Sequence, residues 1–252
     1  MKTVKDYIVQ EKLVLKKNMS GISVKKTLFP NTLRELSIMI INEIKRNGIN
    51  CSLNHIDTSK ITSMSYLFRG NLPGISISDE QLLRSFNGDI SEWDTSNVTE
   101  MVCMFAKSNF DGDLSGWDVS NVRNFGNMFC ASKFTGKNGN IGKWKLNSAV
   151  RLHNMFKETK FNGDISEWTV SNVETFECMF QDNSEFNQPI GKWKLNSSKK
   201  ICVWKMFDEA TSFCQDLSSW DFSDIDLPDK YDIFHGAKNM KQEYLPQGIK
   251  TI

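Results

Sequence analysis

The sequence predicts an α/β repeat protein. The expected architecture is a solenoid of about seven coils of 24–27 residues, each a short strand followed by a short helix, with a helical cap at the N-terminal end. Three observations carry this. Six of the seven tryptophans (Trp93, Trp117, Trp144, Trp168, Trp193 and Trp220) recur at separations of 24, 27, 24, 25 and 27 residues. Each is preceded by a phenylalanine (Phe86, Phe110, Phe134, Phe161, Phe186, Phe213) and followed by a second (Phe105, Phe129, Phe156, Phe180, Phe207, Phe234). Three residues before each Trp stands Ile or Leu, from Ile90 to Leu217. Self-similarity at such a period marks stacked repeats.

Residues 1–48 lack the repeat. Asn31 or Thr32 can cap an amphipathic helix from Leu33 to Arg46, with Leu33, Leu36, Met39/Ile40 and Ile44 on one face and Gly48 as its stop. This helix is expected to cover the open end of the array. Asp6–Lys12 is expected as a short helix and Leu13–Leu15 as a strand.

The array spans 49–236, and 237–252 form a C-terminal tail or cap. Ile56 to Met64, with Phe68, aligns with Trp93 to Met101 and Phe105 as a degenerate first unit, and 69–85 is an insertion after it. Within a unit, Ile165, Trp168 and Val170 read as a strand with Trp168 and Val170 inward. Ser171-Asn172 supplies turn chemistry. Val173, Phe176, Met179 and Phe180 then fall at helical spacing.

Composition narrows the function. Lys and Arg total 31 against 30 Asp and Glu, so no bulk charge draws the chain to nucleic acid. With 39% apolar and 24% charged residues, wholesale disorder is excluded. The longest apolar run, Ile38–Ile41, is far short of the roughly 20 residues that span a bilayer. No apolar leader follows Met1, so a cytoplasmic or virion-associated chain is expected. The six scattered cysteines are expected to be reduced and mostly buried.

Phe161 to Val173, Phe-Asn-Gly-Asp-Ile-Ser-Glu-Trp-Thr-Val-Ser-Asn-Val, followed by a Met-Phe segment, resembles the BspA-type leucine-rich repeat. That repeat is also known from mycoplasma lipoproteins of unknown function. The resemblance covers about 49–236 and is most specific at Trp117–Val122. It implies a leucine-rich-repeat-like solenoid that binds proteins or host surfaces, without catalytic activity. Asn54-His55-Ile56-Asp57 and the preceding helix resemble the usual N-terminal cap of such arrays.

The recurring Trp are expected in the core, and Trp204, off register, is a candidate binding residue. Asp and Asn residues after the first Phe of each unit could suggest calcium, but the column is broken in three of six rows, so turn formation is expected. His55, His153 and His235 occupy unrelated registers, and no nucleophile elbow, P-loop or zinc motif occurs, so neither an enzyme nor a cofactor is expected.

The outward strand face is the stronger lead. If Trp points inward, its two neighbours point out. The rows are then Glu92/Asp94, Gly116/Asp118, Lys143/Lys145, Glu167/Thr169, Lys192/Lys194 and Ser219/Asp221, with formal charges −2, −1, +2, −1, +2 and −1. A net of −1 argues against DNA or RNA. The expectation is a monomeric module that binds another protein through Glu92, Asp94, Asp118, Lys143, Lys145, Glu167, Lys192, Lys194, Asp221 and Trp204. A structural subunit of an assembly and a carbohydrate-binding adhesin are the alternatives.

Overall fold

The computed structural model describes residues 24–196, 201–223 and 232–249. The expected Asp6–Lys12 helix and Leu13–Leu15 strand lie outside these residues. Helix α1 spans Leu33–Asn47, where the capping signals place it: Thr32 accepts a hydrogen bond from the Glu35 N–H, and Gly48, at φ 86°, ends the helix. Leu36, Ile40, Ile41 and Ile44 form its buried face. Helix α2, Ile77–Ser85, lies in the insertion, capped by Ser76 and tied to α1 by Lys45–Asp79 at 2.6 Å.

Beyond these helices the expected α/β solenoid is overturned, and the leucine-rich-repeat architecture with it. Among the described residues no extended strand or sheet forms, and the only other helical pieces are single 3₁₀ turns at Ile141–Lys143 and Gln242–Tyr244. The Trp segments are turns, not strands, and the Met-Phe segments are turns, not helices. Parallel pairing is confined to isolated bridges, most of them in the run Ser63–Glu100–Asn124–Arg151–Thr175–Cys202.

The reason lies in where the backbone N–H groups go. Met101, Cys103, Phe105 and Lys107 donate to the carbonyls of Asn124, Gly126, Met128 and Cys130 in the next unit, at 3.0, 3.0, 2.8 and 2.8 Å. Phe125, Asn127, Phe129 and Ala131 repeat this toward Arg151, His153, Met155 and Lys157. An α-helix needs those N–H groups for its own carbonyls four residues back. Left-handed residues recur as well. Tyr66, Cys103, Asn127, Asn154, Cys178 and Lys205 have φ between 52° and 66°, and four residues after the last five come Lys107, Ala131, Glu158, Asp182 and Glu209 at 56–59°. Each is the third residue of a tight turn, as in Met101–Met104 and Phe105–Ser108, where a positive φ gives the type II form. Strand and helix are interrupted by the same device.

Glycine holds the second of these registers only at the two ends of the array, Gly70 and Gly236, both at φ 72°; in the units between, L side chains bear the strain. Lys107 is exposed with φ 59°. We expect Lys107→Val to lower unfolding free energy by ~1–2 kcal/mol, because a branched Cβ tolerates this region worst. Lys107→Gly should cost nothing or stabilise slightly. Equal urea midpoints for the two variants would show that the position is not strained in solution.

Side chains from successive units stack into columns. Phe105, Phe129, Phe156, Phe180, Phe207 and Phe234 follow at 5.5, 5.7, 5.8, 5.6 and 5.4 Å between ring centroids. The second column wedges against the first, with Phe156–Phe161 and Phe180–Phe186 both at 3.8 Å. The six recurring Trp are buried. The indole N–H of Trp93, Trp117, Trp144, Trp168 and Trp193 donates to a carbonyl of the preceding unit, as from Trp168 to Ile141 at 2.9 Å. Trp220 has no such acceptor among the described residues, which leaves its buried N–H unpaired among them.

Both ends of the stack are covered. Leu28 bridges Ile56 and the Thr27 N–H donates to His55 at the N-terminal side. At the other, Gln247 bridges Asp221, while Leu245 and Ile249 are buried.

Candidate functional site: the outward rows and their grooves

The in–out alternation survives the loss of the strand. Trp168 and Val170 are buried while Glu167 and Thr169 are exposed, and Trp144 and Trp193 are likewise each flanked by two exposed lysines. All nine predicted charged residues of the rows are exposed. The structure divides them by what their charged groups do.

The aspartates hold turns. Asp94 Oδ1 accepts from the Ser96 N–H at 3.0 Å and its hydroxyl at 2.6 Å. Asp118 accepts from the Ser120 N–H at 3.0 Å, and Asp221 from that of Ser223 at 2.9 Å. The Ser120 hydroxyl and N–H together hold the Asp118 carboxyl below its usual range. Glu92 is also occupied: its Oε2 accepts from the Val24 N–H at 3.3 Å, and its own N–H donates to Asn54. These four carboxylates keep their charge, but each has an oxygen engaged by a neutral donor within the chain.

Lys143, Lys145, Lys192 and Lys194, and Glu167 between the pairs, form no ion pair among the described residues. Two grooves open beside three of them. One, of about 350 Å³, is lined by Glu167, Lys192, Gly191, Gln215, Asp216 and Ser219, among others. The second, of about 260 Å³, is lined by Glu167, Lys192, Lys194, Thr169 and Ser171, with Trp168 and Val170. Gly191 shapes the first: a Cβ there would meet the Asp216 carbonyl oxygen at 2.1 Å. The Lys143/Lys145 pair lines neither groove.

Trp204 lies apart, half-buried, with the Lys205 ammonium 5.1 Å from its ring centroid. Its unit follows those of His153 and Glu177, whose carbonyls accept from Asn127 and Asn154 as Trp204's accepts from Cys178. Burial holds the His153 imidazole below its usual pKa. Of the calcium candidates, three cross-link units (Asn87 accepts from the Asp111 N–H, Asp111 from that of Thr135, Asn162 from that of Asn187), while Asp113 and Asp164 accept from the N–H of Ser115 and Ser166 in their own turns. Only Cys178 of the six free cysteines is buried, against the expectation that most would be, and its thiol is pushed up to about 11.

One cluster escaped the sequence reading. Asp208, 4% exposed, accepts from Gln181 Nε2 at 2.7 Å and lies 2.8 Å from His235 Nδ1. It is the one buried carboxylate among the described residues. Asp208, Glu209 and His235 have ligand atoms within 4.8 Å of one another, but the Lys205 ammonium, 3.6 Å from Asp208 Oδ2, already supplies a cation. Gln181, Asp208 and His235 belong to three successive units, a relation no local spacing reveals.

Hydrogen bonding to Asp208 raises the His235 pKa. A raised folded value means this stabilisation is full below the unfolded pKa, about 6.5, and is lost as pH rises through the folded value. Wild type is expected to melt lower at pH 8.5 than at pH 5.5 by more than His235→Gln does. Identical pH dependence of the two melting temperatures would show the pair makes no contribution.

No helix of the described residues is long and apolar enough to cross a membrane. A family model described as "Mycoplasma protein of unknown function" (DUF285) matches residues 35–157 and 130–247, two overlapping stretches covering most of the chain. No curated protein and no solved structure matches it.

Proposed function

Because the chain belongs to the DUF285 family, whose description assigns no activity, we propose from its own surface that it is a non-enzymatic module binding another protein through the outward rows. The observation that carries this is the division of charge. Four lysines and one glutamate stand exposed in register without ion-pair partners among the described residues, while neighbouring acids are used to close turns. Unpaired charges in a fixed pattern steer a complementary partner and add little to folding. The likeness to BspA-type repeats, at the level of the Trp117–Val122 motif and not of architecture, belongs to this proposal and favours binding over catalysis.

Reversing Lys143, Lys145, Lys192 and Lys194 to Glu tests the reading. The urea midpoint should stay within error of wild type, since exposed lysines contribute little to stability. Proteins that wild type retains at low salt, and releases as salt screens the contact, should not be retained by the variant. Unchanged retention at both salt concentrations would overturn the proposal. Light scattering that shows defined oligomers of this chain alone, abolished by the same reversal, would assign the rows to self-assembly instead.

A further inference from the structure

The outward rows lie on the Trp segments; the Met-Phe segments carry a different pattern of charge. In each unit this side runs from the residue before the bridge to the residue before the next unit's opening Phe. The four inner stretches are 123–133, 150–160, 174–185 and 201–212. The third unit supplies Arg123 and Lys133, and the fourth Arg151, Lys157 and Lys160 against Glu158, a net of +4. The fifth supplies Glu174, Glu177, Asp182 and Glu185, and the sixth Asp208 and Glu209 against Lys205, a net of −5. Lys199 and Lys200 precede the last stretch, outside the described residues, and counting them leaves −3. A basic band and an acidic band therefore meet between the fourth and fifth units.

Much of this charge is unpaired. Arg123, Lys133 and Arg151 are exposed and form no ion pair among the described residues, and neither do Glu177 and Asp182. Lys160 and Glu185 pair across the seam at 3.4 Å. From this segregation we infer that the Met-Phe side docks on the same side of a second copy of this chain, turned end for end about an axis between the fourth and fifth units. A complementary surface must carry the two bands in reverse order, and the chain's own face, rotated, is such a surface. A two-fold arrangement matches each band once on either copy. The inference concerns a different side from the protein-binding reading above and does not depend on it. Four units at a rise of about 4.8 Å make a strip roughly 20 Å long. So short a contact is below the standard interface size, and the dimer is a weak, exchanging one.

The same arrangement gives Trp204 a place. The N–H groups of Cys103, Asn127, Asn154 and Cys178 donate to the carbonyls of Gly126, His153, Glu177 and Trp204, so Trp204 and Gly126 share one register in the sixth and third units. Rotation about an axis running along the segments keeps the register and exchanges these two units. Each half-buried Trp204 then comes over Gly126 of the other copy. No side chain projects there, and the His153 ring lies over the glycine, closer than any Cβ would allow. Burial holds that imidazole below its usual pKa, so a neutral ring meets the indole.

Sedimentation equilibrium of the full chain tests this. At low salt the wild-type mass should rise with concentration from one chain toward two, and at high salt it should return to one. Arg123→Glu/Arg151→Glu and Glu177→Lys/Asp182→Lys should each stay monomeric, because like charges then face each other. Both should melt as wild type does, since the replaced groups form no ion pair among the described residues and lysine already holds the left-handed register of Asp182 at Lys107. An equimolar mixture of the two variants should regain the dimer, since each reversed band meets its opposite. Trp204→Ala should weaken it about tenfold, as loss of a central aromatic anchor does. Reversal of Lys143, Lys145, Lys192 and Lys194 should leave it unchanged. A wild type that stays monomeric at low salt would overturn the inference and leave the protein-binding reading standing. A mixture no better than either variant, a dimer indifferent to Trp204→Ala, or one lost on reversal of the outward lysines would overturn it as well.

Discussion

Trp168→Ala will lower the unfolding free energy by ~3–5 kcal/mol, the range for emptying a buried aromatic site. The side chain is 3% exposed, and three losses coincide. Apolar area returns to water and a cavity opens between Trp144 and Trp193, whose rings lie 6.4 and 6.3 Å from Trp168. The Ile141 carbonyl also loses one of its two donors, the indole at 2.9 Å, and keeps the Trp144 N–H at 3.0 Å. Damage should concentrate in adjoining units, because the column and the backbone hydrogen bonds connect neighbours. Amide exchange should quicken most around residues 141–193. A urea midpoint equal to wild type would mean that the ring is not buried in solution.

Removing residues 1–48 is expected to be worse: an aggregated or oligomeric product instead of a weakened monomer. Leu53, Ile56 and Ile61 are at most 2% exposed in the intact chain. The deletion strips away the buried face of α1 and the Leu28–Ile56 bridge together. It also removes the Lys45 partner of Asp79 in α2. The first unit would be left with open backbone groups and bare apolar side chains, the combination that promotes edge-to-edge association. A chain beginning at Ile49 that runs as a monomer and melts with the wild-type midpoint would show that α1 is an appendage to a self-sufficient stack.

The sequence carried the periodicity but not the backbone class. Repetition of Trp, Phe and Ile is a statement about side-chain volume, and those side chains are in the core as expected. Val173, Phe176, Met179 and Phe180 are all buried as well, yet helical spacing misled. A tight-turn segment can bury the same residues while sending alternate N–H groups to its neighbour. The usual warning is glycine, and it stands in this register only at Gly70 and Gly236, while the inner units hold residues such as Cys103, Cys178, Lys205 and Glu209. Asn127 and Asn154 were the faint signal. Helix α2 carries its own capping sign, since Ser76 accepts from the Asp79 N–H, but the repeat marks its segment only as an insertion.

The candidate rows were legible in part, because alternation about a buried Trp needs only two residues of context. Exposure of Lys192 and Lys194 followed from that alternation; the grooves beside them did not, since these form between units. Asp94 and Asp118 also close turns. Each stands two residues before a serine, a local pairing that already spoke for turn closure. Asp208, Gln181 and His235 lay beyond any local reading.

The indole column has an optical consequence. From Trp144 to Trp220 four rings follow at 6.4, 6.3 and 6.5 Å, with planes inclined by 1°, 9° and 15°. At such spacing and alignment, absorbed excitation passes between rings faster than any one of them emits. The emission therefore belongs to the column and not to a residue, and it leaves from whichever indole has the lowest-energy surroundings. A quencher admitted at one unit darkens its neighbours, and a fluorescence melt reports the first break in the column before the rest of the chain has let go.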